Sequence, residues 1–197
     1  LGLEARLSYA DDLANPSAAV LICSPHPFLG GDMHNNVVTT LTTTLAAAGL
    51  PVFRFNYRGI GGSEIGRNLQ LDQQNAFAAL ARQFDATLPF YLIGYSFGTI
   101  PTVRLSVSPR VSKLCLISPP LAKWEIETDA IDRTCGIFYA PGDFACPEPL
   151  IESMLTALKG VRALHSFDGA DHFFVGHEDK LAQSVLQFLK FSDNDIS

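Results

Sequence analysis

Apolar residues in this chain come in short blocks, and the blocks alternate between two periodicities. Ala18–Ser24 (AAVLICS) and Val52–Tyr57 are nearly continuous, which predicts strands buried on both faces. Phe90–Tyr95, Lys113–Ser118, Cys135–Tyr139 and Val161–Phe167 are further strand candidates, and Leu3–Tyr9 alternates enough for an edge strand. Between them lie stretches with helical spacing. Met33–Ala48 ends at Gly49-Leu50-Pro51, a stop signal, and Leu69–Phe84 puts Phe77, Leu80, Ala81 and Phe84 on one face. More helices are predicted after Ser96, over Pro147–Leu158 and over Glu178–Phe191. Threonines make 33–48 a poor intrinsic helix former, so packing has to hold it. Asp11–Pro16 has turn composition, and the polar tail from Ser192 is expected to fray. Strand and helix alternate with no internal repeat or linker. That order predicts one α/β domain over 1–197, a mostly parallel sheet with helices on both faces.

Sheets of this kind gather their active groups at the carboxyl ends of the strands. The loop leaving Phe90–Tyr95 carries the most specific signal, G-x-S-x-G, with Gly94 and Gly98 two residues either side of Ser96. A turn this tight from strand to helix strains its central residue and leaves no room for bulk at the ±2 positions. It lifts the Ser96 hydroxyl above the sheet and aims the first helical N–H groups at the same spot. Asp143 follows the strand 135–139 and His172 follows 161–167, so Ser96, Asp143 and His172 stand in the chain order of a nucleophile, acid and base on such a sheet. A serine hydroxyl is a weak nucleophile until a base takes its proton, and a neutral imidazole suits that task. The carboxylate fixes the ring's tautomer and steadies the imidazolium that forms.

Other residues compete for these roles. Asp168 and Asp171 share the loop of His172, where aspartate more often makes turn hydrogen bonds, and Asp129 and Asp132 sit in a polar segment read as solvated. His34 and His177 read as helix-end residues, His165 as a satisfied core or edge residue, and His26 as a loop brace. An oxyanion hole needs two N–H donors, each worth about 3–4 kcal/mol in the transition state. Phe97, directly after the nucleophile, supplies one. The other is expected from the loop Pro25–Gly31, where Pro25 and Pro27 have no N–H and Phe28 is the first useful donor, with Leu29 the fallback. Phe28, Leu29, Tyr95, Phe144 and Phe173 are candidate pocket walls, and Trp124 is either a pocket edge or a surface residue.

Composition narrows the alternatives. With 197 residues, 47% hydrophobic, the chain can bury a substantial core. A net charge of −6 with no basic run argues against nucleic acid as a partner, and no apolar stretch approaches the roughly 20 residues that span a bilayer. No signal-peptide pattern opens the sequence given, which begins with Leu1. The histidines and cysteines lack metal-ligand spacing, and the glycine-rich loop Gly59–Ser63 has no Walker lysine, so neither metal nor nucleotide cofactor is expected. Cys23, Cys115, Cys135 and Cys146 are scattered, three of them in strand-like runs, and are expected to be reduced in a cytoplasmic protein. Arg54 and Arg58 lie on a strand and its exit loop, placed for an internal ion pair or, less simply, a substrate carboxylate.

Taken together, SPHPFLGGDMHNNVV, FRFNYRGIGGS, GYSFG and GADHFF resemble the α/β-hydrolase superfamily, and more narrowly a group of small lidless bacterial serine hydrolases distantly related to dienelactone hydrolase. The resemblance runs from about Leu3 to Phe191 and implies the α/β-hydrolase fold and cleavage of an ester, without naming the ester. Dienelactone hydrolase uses a cysteine where this chain has Ser96, so its substrate is not carried over, and the superfamily's usual first strand has no evident counterpart here. In such folds a lid grows after the strand that follows the elbow strand. The segment between Pro120 and Cys135 is too short to build one, so an open site for small, soluble esters is expected. The reading is a serine esterase working through an acyl-enzyme, with no cofactor. A thioesterase or small peptidase with the same three residues, or a non-enzymatic binding protein of the same fold, are the alternatives.

Overall fold

Seven strands form the sheet on which everything else is mounted, in the order β1-β3-β2-β4-β5-β6-β7. The structure, a computed structural model, describes residues 2–10, 15–66, 68–158 and 162–190. The strands are β1 (Ala5–Ser8), β2 (Ala19–Cys23), β3 (Val52–Phe55), β4 (Phe90–Tyr95), β5 (Val111–Ile117), β6 (Thr134–Tyr139) and β7 (Arg162–Ser166). β1 runs antiparallel to β3 at one edge, and the remaining pairs are parallel. Val161, most of the turn at 11–16, Phe191 and the tail from Ser192 lie outside the described residues.

The continuous apolar runs are explained by the two layers that cover the sheet. On one face α1 (Asn36–Ala47) and α5 (Glu178–Lys190) pack together, and Val20, Ile22, Ile93 and Tyr95 point into their core with Leu41 and Phe188. On the other face lie α2 (Leu69–Ala81), α3 (Thr99–Leu105) and α4 (Glu148–Ala157), met by Leu21, Cys23, Leu92 and Leu116. Alternate residues of one strand thus serve both cores, and β2 is buried along its whole length.

Two helices differ from the periodicity in where they stop or start. α1 begins at Asn36 rather than Met33, because the Met33 N–H is held by Asn56 Oδ1 at 2.8 Å and the His34 N–H by Asp32 Oδ1 at 2.7 Å. Asn35 then caps the helix, accepting from the Val37 and Val38 N–H groups. α2 ends at Ala81, short of Phe84, where the Arg110 guanidinium donates to the Ala81 carbonyl (3.2 Å) and to that of Asp85 (2.7 Å). The threonines of α1 turn their hydroxyls back onto carbonyls of the preceding turn, Thr42 Oγ1 to Val38 O at 2.7 Å, and the helix is held by α5 as its composition requires.

Arg58 makes the internal pair: its Nε donates to Asp72 Oδ1 at 2.6 Å, and its backbone N–H to Asp72 Oδ2 at 2.9 Å. Arg54 Nη1 donates to the Met33 carbonyl at 2.7 Å, so both arginines tie chain segments together internally. His165 lies on the edge strand β7, as expected, with its ring stacked on Phe138 (centroids 4.7 Å apart, 4° between planes); it departs from expectation in that its buried Nε2 has no hydrogen-bond partner among the described residues.

Burial lowers the His165 pKa. The unfolded chain takes up a proton near the ordinary histidine value of about 6.5, and the folded chain only at lower pH. Between those two values the unfolded state binds more protons, so stability falls as pH falls through the window. His165→Phe should therefore lose less melting temperature than the wild type on going from pH 7 to pH 5, measured by thermal denaturation. Equal losses in the two proteins would assign the acid sensitivity to other groups.

Candidate active site

The site sits at the carboxyl ends of β4, β5, β6 and β7, and begins with a strained turn. Ser96 follows β4 directly and adopts φ 53°, a left-handed conformation that costs a non-glycine residue about 1–3 kcal/mol. A 3₁₀ turn over Ser96–Gly98 leads into α3. The flanking glycines are required by space. A methyl at Gly94 would lie 2.5 Å from the Gly98 carbonyl oxygen and 2.6 Å from Thr99 Cα, and one at Gly98 would collide with the Cys23 carbonyl oxygen at the end of β2. Gly98 has ordinary helical angles (φ −57°, ψ −18°), so its requirement is purely one of room. Gly98→Ala should destabilise the protein by about 1–3 kcal/mol, as overpacking against backbone does. It should also depress turnover by moving the elbow off β2, and denaturant melts paired with ester assays would measure both.

Two loops bring the other groups to the serine. His172 Nε2 lies 3.0 Å from Ser96 Oγ, and its Nδ1 lies 2.9 and 2.8 Å from Asp143 Oδ1 and Oδ2. A carboxylate only accepts, so Nδ1 carries the proton and Nε2 is left free to accept from the serine hydroxyl. Asp143 and His172 are 3% and 7% exposed, so the pair works away from bulk water. Burial by itself would raise the Asp143 carboxyl; the hydrogen bond from His172, the nearby Ser118 hydroxyl, the His172 charge and the Ala145 N–H outweigh it and hold the pKa below the ordinary carboxylate value. The Ala145 N–H reaches Asp143 Oδ1 at 2.7 Å. Tyr95 Oη donates to the His172 carbonyl at 2.7 Å and anchors the histidine loop from beneath.

Backbone strain marks the same three places. Among the described residues the non-glycines with positive φ are Ser96, Ser118 at 42° and Phe174 at 54°. Ser118 directly follows β5, near Asp143, and Phe174 lies two residues beyond His172. Asp168 and Asp171 stay outside the constellation, both exposed, and Asp171 Oδ1 accepts the Phe173 N–H (2.9 Å) as a turn residue does. Asp129 and Asp132 are exposed as well.

On the oxyanion side the structure is more particular than the sequence. Phe97 occupies the second position of the 3₁₀ turn, where an N–H has no partner within the helix, and no side chain caps it. Pro27–Leu29 form another 3₁₀ turn, in which the Phe28 N–H donates to His26 Nδ1 at 3.2 Å and the Leu29 N–H to the His26 carbonyl at 3.0 Å. His26 is thus the brace of its loop. Its ring also packs edge-on against Phe97, with centroids 4.7 Å apart.

A largely apolar cavity of about 430 Å³ opens beside Ser96. Leu29, Tyr95, Phe144 and Phe173 line it as expected, whereas the Phe28 side chain is exposed and not on its wall. Trp124 proves to be a wall residue, packed edge-on against Phe97 at 6.1 Å, and Lys123 stands next to it. Sequence reasoning missed Ser118 and Lys123. The rule that strand ends carry function could have pointed to Ser118, but nothing local points to Lys123.

The sheet order and the strained strand–helix turn after β4 are those of an α/β-hydrolase fold, and the chain belongs to that superfamily. No cap is built between β5 and β6, where the described residues form only turns and the short 3₁₀ segment Thr128–Ala130. An α/β serine hydrolase homologue from Coxiella burnetii is 25% identical and superimposes with a TM-score of 0.84 over 95% of this chain and 91% of that one. A serine hydrolase without a lid from Xanthomonas campestris, 24% identical, gives a TM-score of 0.83 over 95% of this chain and 88% of that one. An uncharacterised protein of Rickettsia prowazekii is 26% identical over 204 residues, 95% of this chain and 86% of the relative. No protein-family model matches the chain. No helix among the described residues is long and apolar enough to cross a membrane.

Proposed function

We propose that this α/β hydrolase is a serine esterase of the carboxylesterase type, in which Ser96 is the nucleophile, His172 the general base and acid, and Asp143 the orienting carboxylate. The observation that carries the reading is the 3.0 Å approach of His172 Nε2 to Ser96 Oγ while Nδ1 rests on Asp143. Ser96 Oγ attacks the ester carbonyl as its proton passes to His172. The oxyanion is received by the N–H groups of Phe97 and Phe28. The long Phe28–His26 bond gives way to the oxyanion, a charged and stronger acceptor. His172 then protonates the departing alkoxide, and water, activated by the same ring, releases the acid from Ser96. The chemistry calls for no cofactor.

The cavity favours esters with an apolar body of modest size, and its walls of Leu29, Trp124, Phe144 and Phe173 supply the contact. The chain acts as one catalytic domain over 1–197, and its four cysteines, unpaired and buried, fit the reducing cytoplasm.

A fluorophosphonate probe tests the reading. It should label the wild-type protein stoichiometrically at Ser96, and labelling should track loss of hydrolysis of a short-chain 4-nitrophenyl ester. Matched ester, thioester and amide substrates should rank in that order of decreasing kcat/KM, or with the thioester first if the protein is a thioesterase. A protein that takes no label and turns over none of the three is a binding protein.

A further inference from the structure

We propose that the turn at residues 120–124 is a subsite for a carboxylate carried on the acyl portion of the substrate, with Lys123 as its cation. The preferred substrates are then half-esters of dicarboxylic acids. This rests on the esterase reading above for which part of the ester lies where, and on an independent feature of the cavity for the charge.

Apart from the two histidines, Lys123 is the charged residue among the described residues lining the cavity, and no aspartate or glutamate lines it. A chain with net charge −6 does not present such a wall by default. The backbone that carries the lysine is held in place, while its side chain is exposed. The N–H groups of Lys123 and Trp124 both reach the Pro120 carbonyl, at 3.1 and 3.0 Å, and the Ala122 N–H reaches the Ala145 carbonyl at 3.0 Å, which ties the turn to the Asp143 loop. Lys123 Nζ rests 4.7 Å from the centre of the Trp124 ring and pairs with no carboxylate among the described residues.

The two sides of the cavity differ in electrostatic sign. The His26 pKa is lowered first by burial and then by the Lys123 charge. Across the cavity, the Tyr95 hydroxyl is raised by burial and then by Asp143, Asp171 and Glu178. An anionic group is therefore favoured on the Trp124 side and disfavoured on the His172 side. Reaction geometry says which half of the ester that group belongs to. The leaving oxygen must receive its proton from His172 Nε2, so the alcohol portion lies toward His172. The oxyanion takes the Phe97 N–H, and the acyl chain is left to run along Trp124 toward Lys123.

Trp124 is the chain's one tryptophan, so its fluorescence reports on the subsite directly. In the Ser96→Ala protein, which cannot form an acyl-enzyme, monomethyl glutarate should bind about fivefold more tightly than dimethyl glutarate at low salt. The preference should shrink at high salt, disappear when Lys123→Met is added, and reverse with Lys123→Glu. With Ser96 intact, the preference for 4-nitrophenyl hydrogen glutarate over 4-nitrophenyl butyrate in kcat/KM should follow the same order across the Lys123 variants. Equal binding of the two glutarate esters, a fluorescence signal that answers to neither, or a preference that survives Lys123→Met overturns the subsite. Failure of the esterase reading would show differently, as hydrolysis undiminished by Ser96→Ala, whatever the fluorescence titration gives.

Discussion

Ser96→Ala should lower kcat on a short-chain aryl ester by about a millionfold, the scale reached when the nucleophile is deleted from a serine triad. Residual turnover, still about a thousandfold or more above water, would come from the oxyanion donors and from binding. Stability should move little, because the deleted oxygen contributes one hydrogen bond to His172 in a half-exposed position. Ser96→Gly separates the two roles of the position. It should be as inactive as the alanine variant yet more stable, since glycine adopts φ 53° without strain. The stability gain would show that the fold bears a cost at this residue, and the activity loss would show what the cost serves. Single-turnover assays on purified proteins, after removal of wild-type traces, give the rate; melts give the stability. An alanine variant retaining most activity would remove Ser96 from the mechanism.

Asp143→Asn should cost about ten-thousandfold in kcat while leaving the backbone in place. The reason lies in which oxygen is already committed. Asp143 Oδ1 accepts the Ala145 N–H at 2.7 Å, so the asparagine oxygen keeps that place and its NH₂ replaces Oδ2, 2.8 Å from His172 Nδ1. With a donor at the Oδ2 place and the retained oxygen at 2.9 Å already accepting from Ala145, Nδ1 holds its proton less well, and the ring shifts toward the tautomer whose Nε2 carries hydrogen. That tautomer cannot accept from Ser96. The fluorophosphonate labelling rate should fall together with kcat, since both need the activated serine. A loss of less than about tenfold in either would mean that another group orients the ring.

Much of the site was legible because its constraints are local. The elbow could be found from three residues, since the sterics of a strand–helix turn act within five positions and leave glycine at 94 and 98. Asp143 and His172 could be found because the strand-end rule converts position along the chain into position in space. The helix starts at Asn36 and stops at Ala81 were less legible, for they are set by partners distant in sequence, Asn56 in one case and Arg110 in the other. His165 shows the limit for burial: an alternating strand gives its face, while the stacking on Phe138 and the lack of a partner for Nε2 among the described residues depend on what the neighbouring elements place around it.

The order of residue types by itself determined the strands and helices, the α/β layering, the strained turn at Ser96 and the strand-end positions of Asp143 and His172 after it. Each of these follows from periodicity or backbone sterics, which act over a few residues. Tertiary structure alone decided that Ser118 stands near Asp143, that the Phe28 N–H rests on His26, and that Trp124 and Lys123 wall the cavity. Those neighbours come from different strand ends. Sheet order and register bring them together, and both are settled by the packing of the two cores as a whole.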